Sequence, residues 1–316
     1  MRYISSGEVL SSVSDRDLVA AMAQAFKLHS RGTGTSCQMS AYDPGGDLVF
    51  GHACKLPGLG TAVKTGVQLP GNRARGIPTV QAGVLLFDDD SGSMEAVVDG
   101  ASVTALRTAG ALVAAVATVP SVAHPKVGVL GYGPQGATAA RLATSVLNAA
   151  SVNVYAPSMV GCPPVEHLAA LIEFKASARE AYAGADIVLC CTSSSSPVVS
   201  KDGLSSNAVI GSLNSYEPHL VEFDPAILST CSVVLADVPA KEYGPLAQLS
   251  RSTRLPQVQS PTGDILPYRP EGRAAVFIGG TGYQDALASW SALIGWPAVE
   301  RRIRVPSVGE EPSGDA

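Results

Sequence analysis

Apolar positions recur along this chain with two different periods, and the change of period divides it. After Ser14-Asp-Arg-Asp17, a plausible helix start, Leu18, Met22, Ala25 and Phe26 fall at helical spacing. From Ala41 to Asp99 the spacing shortens. Residues 48–54, 59–64, 81–87 and 94–98 are short β-prone runs, separated by turn clusters such as Asp43-Pro-Gly-Gly46 and Asp88-Asp-Asp-Ser-Gly92. These runs predict an antiparallel sheet. A strongly apolar helix is expected over 103–119 and connects this sheet to the second half of the chain. Beyond it strands and helices alternate, with strands at 127–130, 152–155, 186–191, 208–213 and 233–236 and a helix at 165–174. An apolar run at 275–278 precedes a last helix over 284–294. That alternation predicts parallel βαβ units. The last helix has no strand after it and is expected to return to the first domain. The polar tail from Pro306 is expected to be disordered.

The junction at 126–141 carries the most chemistry. The apolar run ends in Gly131, Tyr132, Gly133, Pro134, Gln135 and Gly136, and passes directly into an Ala-rich helical pattern. A dinucleotide pyrophosphate needs that order. The first glycine permits the tight turn, the second lets backbone approach phosphate, and the third lets helix and strand pack closely. The helix N-terminus then offers N–H groups and a positive dipole end. With the strand before and the βαβ continuation after, a nicotinamide or flavin nucleotide is the expected ligand and redox chemistry the leading reading. At the end of the second strand, where an acid would accept the ribose hydroxyls, stand Tyr155-Ala156-Pro157-Ser158. The missing carboxylate leans toward NADP, but no arginine is present to hold a 2′-phosphate. Ser158 is either a hydrogen-bond donor there or a plain turn residue, so NAD and NADP both stay open.

Composition narrows the class. At 316 residues the chain is long for one core, so two domains are expected. Hydrophobic residues make up 46% and charged residues 16%, which suits a well-buried α/β enzyme. With 22 Lys plus Arg against 27 Asp plus Glu the net charge is −5, and nothing attracts nucleic acid or an anionic membrane. The six cysteines show no metal spacing and no CxxC pair, so no metal is expected; Cys190 and Cys191 read as buried strand residues. Glu8 and Asp15 break any secretory pattern, and the longest helical apolar stretch, 109–119, is short of the roughly 20 residues of a membrane span. A cytoplasmic protein is the expectation.

Two further segments hold candidate site residues. Arg107 and Thr108 lie on a helix that is otherwise almost wholly apolar. A guanidinium there needs an anionic partner. Either an internal aspartate supplies it, or a cofactor phosphate or substrate carboxylate does, for which the planar fork is well shaped. Lys64 alternates with Ala62 and Gly66 on a β-run. A lysine in that setting ordinarily snorkels to water and by itself carries no assignment. His219 could act as a proton donor but is expected in an exposed loop, and His52 lies on a strand, where it could face the cleft though core or surface placement is the commoner outcome.

Taken together these segments resemble the ornithine cyclodeaminase/mu-crystallin family. The resemblance runs from Lys64 in Val-Lys-Thr-Gly through Pro70, Asn72 and Gly76-Ile-Pro-Thr79, and includes Asp99-Gly…Thr104-Ala-Leu-Arg107-Thr-Ala and the glycine loop. It continues through Gly184-Ala-Asp-Ile-Val188, Pro197-Val-Val, Gly211-Ser…Pro218…Glu222 and Gly282-Tyr-Gln-Asp285. It implies an α/β chain with a Rossmann dinucleotide-binding domain at 120–286, and an α+β substrate and dimerisation domain made of 1–119 with 287–316. It implies a homodimer using NAD or NADP on a small imino or amino acid. By the resemblance, Lys64 and Arg107 are catalytic. Thr79, Tyr216 and Gly282 join them at the substrate. Arg107, Thr108, Gly131, Tyr132, Gly133, Pro134, Gln135, Gly136, Ser158 and Thr192 meet the cofactor.

Two departures shape the functional expectation. Where cyclodeaminases of this family carry an aspartate, this chain has Tyr216. A phenol with a pKa of about 10 is no anionic base near neutral pH, so ornithine or lysine cyclisation is not expected. Near Gln38 to Ser40 the family's additional carboxylate-binding arginine is missing, and residues 240–272 look shortened. The expected activity is reduction of a C=N bond beside a carboxylate, or the reverse amino-acid oxidation, with the nicotinamide in a cleft between domains. Alternatives are an NAD-dependent synthase of a siderophore or antibiotic precursor, and a non-enzymatic ligand-binding protein.

Overall fold

The computed structural model describes residues 1–159, 171–214, 219–238, 246, 258–266 and 271–304. Contacts divide the chain into two units, one of Met1–Val13, Lys27–Thr104 and Thr281–Ala316, the other of Ser14–Phe26 and Ala105–Gly280. These boundaries differ from the expected 1–119 with 287–316 and 120–286. The helices α2 (Asp15–Ser30) and α3 (Gly100–Ala117) each pass from one unit to the other. Leu18 and Met22 of α2 seat against Gly110 of α3, while Leu112 and Val116 of α3 seat against Gly211 in the parallel sheet. That apolar packing draws the middle of both helices into the nucleotide-type unit.

The first unit is built on a six-stranded sheet of β1 (Arg2–Ile4), β2 (Thr35–Tyr42), β3 (Leu48–Leu56), β4 (Gly60–Gln68), β5 (Val80–Phe87) and β6 (Met94–Asp99), in the order β1-β6-β5-β4-β3-β2. The four expected runs pair antiparallel, β2 joins them antiparallel at β3 though the sequence pattern did not predict it, and β1 adds to β6 in parallel. The helix α1 (Ser6–Ser12) starts at a capping box in which Ser5 and Glu8 satisfy each other's backbone N–H groups.

The second unit carries an eight-stranded, all-parallel sheet. Its strands are β7 (Lys126–Leu130), β8 (Ser151–Tyr155), β9 (Ile172–Phe174), β10 (Ile187–Cys190), β11 (Val209–Ser212), β12 (Cys231–Ala236), β13 (Val258–Gln259) and β14 (Arg273–Phe277). The order is β9-β8-β7-β10-β11-β14-β12-β13. Strand order reverses between β7 and β10, the switch point outside whose carboxyl ends doubly wound sheets bind ligands. Helix α4 (Pro134–Ser145) follows β7, and the short α5 (Ala178–Tyr182) precedes β10.

Two expectations need correction. The helix expected over 165–174 is not what Ile172–Phe174 forms: that stretch is β9, paired in parallel with Val152–Val154. Apolar Ile172 and Phe174 flanking Glu173 is strand alternation, and sheet pairing overrides the helical reading; residues 165–170 lie outside the described residues. The apolar stretch at 109–119 is not all helix: α3 runs from Gly100 to Ala117, starting earlier and ending sooner than the expected 103–119. Among the described residues α3 alone is long and apolar enough to cross a membrane, and it is mostly buried within the protein. The last helix, α6 (Gly282–Ile294), does pack on β4 and β3, and a further helix, α7 (Trp296–Arg302), follows it. Most of 240–272 and the tail from 305 fall outside the described residues.

Candidate active site

The glycine loop has the form its sequence predicts. Gly131 holds a left-handed φ of +91°, and a Cβ there would run into the Cys191 carbonyl. A Cβ on Gly136 would collide with the Gly131 carbonyl, so the first turn of α4 closes directly over the end of β7. Gly133 is the N-cap of α4, makes no side-chain cap bond and borders open space, with Pro134 in the first turn. Tyr132 packs edge-on against Phe174, and burial raises its phenol pKa. Gln135 is half-buried in that turn. An uncapped helix start above a glycine turn, with the one bulky side chain turned against Phe174, is a cradle for pyrophosphate.

Arg107 and Thr108 lie in the same unit. Arg107 is only 5% exposed, and its guanidinium lies flat against Gly280, where any Cβ would overlap it. Gly280 has a φ of +97°, and Asp237 fixes the loop by accepting the N–H groups of Gly279 at 2.7 Å and Gly280 at 3.0 Å. The Thr108 hydroxyl is buried without a hydrogen-bond partner. An orphaned hydroxyl beside a buried guanidinium fits a ligand oxygen. Together with the glycine cradle, this donor set fits a nicotinamide dinucleotide.

Thr192 behaves differently from the expectation of a plain cofactor contact. Its N–H, at 2.6 Å, and its hydroxyl, at 2.8 Å, both donate to Oε1 of Glu222. Glu222 is fully buried, and its other oxygen accepts from the Ser212 hydroxyl and the N–H groups of Leu213 and Asn214, at 2.7 to 3.1 Å. One carboxylate thus ties the loops leaving β10 and β11 together at the switch point. Burial raises its pKa, with the hydrogen bonds opposing the rise. Cys190 and Cys191 are buried as expected, and burial pushes both thiols well above the usual range, which leaves them unreactive.

In the first unit Lys64 does not snorkel. It is 1% exposed, donates to Asp285 Oδ1 at 2.9 Å, and sits 5.5 Å from the centroid of the Phe50 ring. The other oxygen of Asp285 meets His52 Nδ1 at 2.7 Å. His52 stands directly opposite Lys64 across the β3–β4 pair, so both side chains share a face of the sheet, and α6 supplies the carboxylate from above. Sequence reading named Asp285 only within the resemblance and gave His52 no role. A signal was available: Asp285 is the single charged residue of α6, as Arg107 is of α3, and an apolar helix does not bury a lone charge without a partner.

The remaining candidates scatter. Thr79 is half-buried in the loop before β5, where its carbonyl accepts from Leu69. Gly282 has a packing role, because a Cβ there would press on Ser36, Ala53 and Cys54. Ser158 is exposed in a short turn at the end of β8, and His219 is exposed as expected. Tyr216 lies outside the described residues.

A doubly wound parallel sheet with a glycine cradle at its first crossover, joined to a mixed sheet holding a buried Lys–Asp–His cluster, defines a dinucleotide-binding α/β protein. The family model of the ornithine cyclodeaminase/mu-crystallin family matches residues 9–276. The chain belongs to that family. It is 27% identical to the Delta(1)-pyrroline-2-carboxylate reductase of Paracoccus denitrificans, over 73% of this chain and 74% of that one. It is 26% identical to the iminosuccinate reductase of the same organism, over 71% and 73%. The fold is shared with the Thermococcus litoralis Delta(1)-pyrroline-2-carboxylate reductase solved with NADH and L-proline, with a TM-score of 0.83 at 19% identity, covering 97% of this chain and all of that one.

Proposed function

We propose that this protein is an NAD(P)H-dependent reductase of a C=N bond next to a carboxylate. The observation that carries the reading is the dinucleotide cradle at Gly131–Gly136, retained in a chain whose matched relatives include two reductases of carboxylated imines. A bound reduced nicotinamide supplies the hydride. Every other part of the reaction falls to the protein. The uncapped start of α4 holds pyrophosphate, and Glu222 fixes the loops bordering the switch point. Arg107, pinned against Gly280, offers a rigid fork to a carboxylate or phosphate. Lys64, whose ammonium is held in place by Asp285, contributes charge toward the substrate carboxylate. Fixing both reactants lowers the barrier by removing the entropy of their encounter.

Purified protein supplied with Δ1-pyrroline-2-carboxylate, Δ1-piperideine-2-carboxylate or iminosuccinate should consume NADH or NADPH, read as loss of reduced-nicotinamide absorbance. No consumption across that panel overturns the reading. Tyr216 in place of an acid argues against cyclodeamination, so ornithine and lysine should yield no proline or pipecolate. The chain is also proposed to work as a homodimer. All eight residues of β2 are exposed, among them Met39 at 65% and Tyr42 at 48%, and an open edge strand of that length ordinarily finds a partner. Light scattering in solution tests this.

A further inference from the structure

Lys64 is the natural candidate for protonating the substrate nitrogen, but the structure gives it little access. Of the three members of the cluster, the side chains of Lys64 and Asp285 are 1% and 2% exposed, and that of His52 is 14% exposed. The imidazole is committed to Asp285 through Nδ1, and among the described residues Nε2 makes no hydrogen bond. An imidazole anchored to a carboxylate through one nitrogen, with the other outward, has a fixed tautomer and a fixed direction of proton transfer. Lys64 changes the electrostatics behind it. Its ammonium already balances Asp285, so the carboxylate orients the imidazole without being the only charge it faces.

We infer that His52 is the proton donor to the imine nitrogen, with Asp285 and Lys64 as positioning residues behind it. The inference rests on the reductase reading above. In the step, hydride adds to the carbon of C=N and the π pair moves to nitrogen. The Nε2–H bond of the imidazolium breaks as the new N–H bond forms. Neutral imidazole then regains its proton from water, through the same exposed edge. The groups facing His52 are Lys64 from β4 and Asp285 from α6. Cys54 lies on its own strand, with its thiol pushed up to about 12 by burial and so neutral, and uncharged Gln38 stands opposite on β2. Among the described residues the imidazole is therefore the member of this set with a ring nitrogen left to pass a proton outward.

The test uses the full chain with whichever imine the wild type reduces. His52→Asn keeps a donor toward Asp285 and deletes Nε2. Its kcat should fall by roughly 10²–10⁴-fold while NAD(P)H binding, read by fluorescence, and the circular dichroism spectrum stay as in wild type. Added imidazole should restore kcat of His52→Asn by about tenfold or more. If His52→Asn does not fold, His52→Gln carries the same readouts. Wild-type turnover with an unchanged kcat in the variant, or a lost kcat that imidazole does not restore, overturns the assignment alone. No wild-type turnover overturns the reductase reading and this assignment with it.

Discussion

Two carboxylates, one in each unit, are buried as completely as any group in the molecule, and the chain satisfies them by opposite means. Glu222 accepts from neutral donors among the described residues, the hydroxyls of Thr192 and Ser212 and the backbone N–H groups of Thr192, Leu213 and Asn214. Asp285 is met by an ammonium and an imidazole. The neutral donors around Glu222 belong to the ends of two strands and the loops after them, so its work is to hold a framework. The partners of Asp285 are groups that can carry or exchange a proton, so its work is chemical. A buried carboxylate is therefore not by itself a sign of catalysis; the kind of donor that meets it decides.

Exchanging each acid for its amide breaks this comparison if it is wrong. Asp285→Asn should have the largest effect, because it leaves Lys64 without its counter-charge and His52 without its orienting acceptor. Imine turnover should fall by roughly 10²–10⁴-fold. Removing one partner of a buried ion pair should also cost about 3–5 kcal/mol, measured by urea denaturation. Dinucleotide affinity should barely change, since the cradle is in the other unit. Equal losses of cofactor affinity and turnover would show that Asp285 is a framework residue like Glu222.

Glu222→Gln should show the reverse profile. The amide NH2 would confront at least one backbone N–H, which cannot accept, costing about 1–3 kcal/mol of stability at neutral pH. Turnover per folded molecule should change much less. The pH dependence has a definite sign. Burial holds this carboxyl above its ordinary 4.5, so the folded state binds the proton more tightly than the unfolded chain. The resulting stabilisation is complete below 4.5 and is lost as pH rises through the folded value. Denaturation at several pH values should therefore find the margin of wild type over Glu222→Gln widening from neutral pH toward 4.5.

Asp237 resembles Glu222 in accepting backbone N–H groups, and what it holds is the Gly279–Gly280 loop under Arg107. Gly280→Ala sharpens the comparison at this third acid. A methyl at φ +97° adds backbone strain of roughly 1–3 kcal/mol and displaces the guanidinium. The expected result is a raised KM for substrate or cofactor with a smaller loss in kcat, read by steady-state kinetics.

The same contrast explains what could be read before the fold was known. The glycine cradle was legible because all its determinants lie within a few residues: a strand, three glycines and a helix start. The framework around Glu222 was not, because Thr192 and Ser212 reach it across loops, and backbone donors leave no mark in a sequence. Lys64 and Asp285 are separated by 221 positions, and only folding brings them together. Strand β2 went unseen because its eight residues are exposed throughout and lack the alternation of a half-buried strand. Strand β9 was mistaken for helix because three residues carry too little period to outweigh their neighbours.

The smallest expected effect concerns charge at the rim of the nucleotide unit. Around the cradle this unit presents neutral donors, and at the end of β8, where an acid would select NAD, it presents exposed Ser158. Ser158→Asp introduces a carboxylate at that edge without touching a buried group, so stability should move by no more than about 0.5 kcal/mol. A carboxylate there accepts from ribose hydroxyls and repels a 2′-phosphate. The ratio of kcat/KM for NADPH over NADH should therefore fall by about tenfold, roughly 1.4 kcal/mol, with kcat for the preferred imine unchanged. An unchanged ratio would mean that the adenosine end of the cofactor does not reach Ser158, and that selection is made elsewhere on the rim.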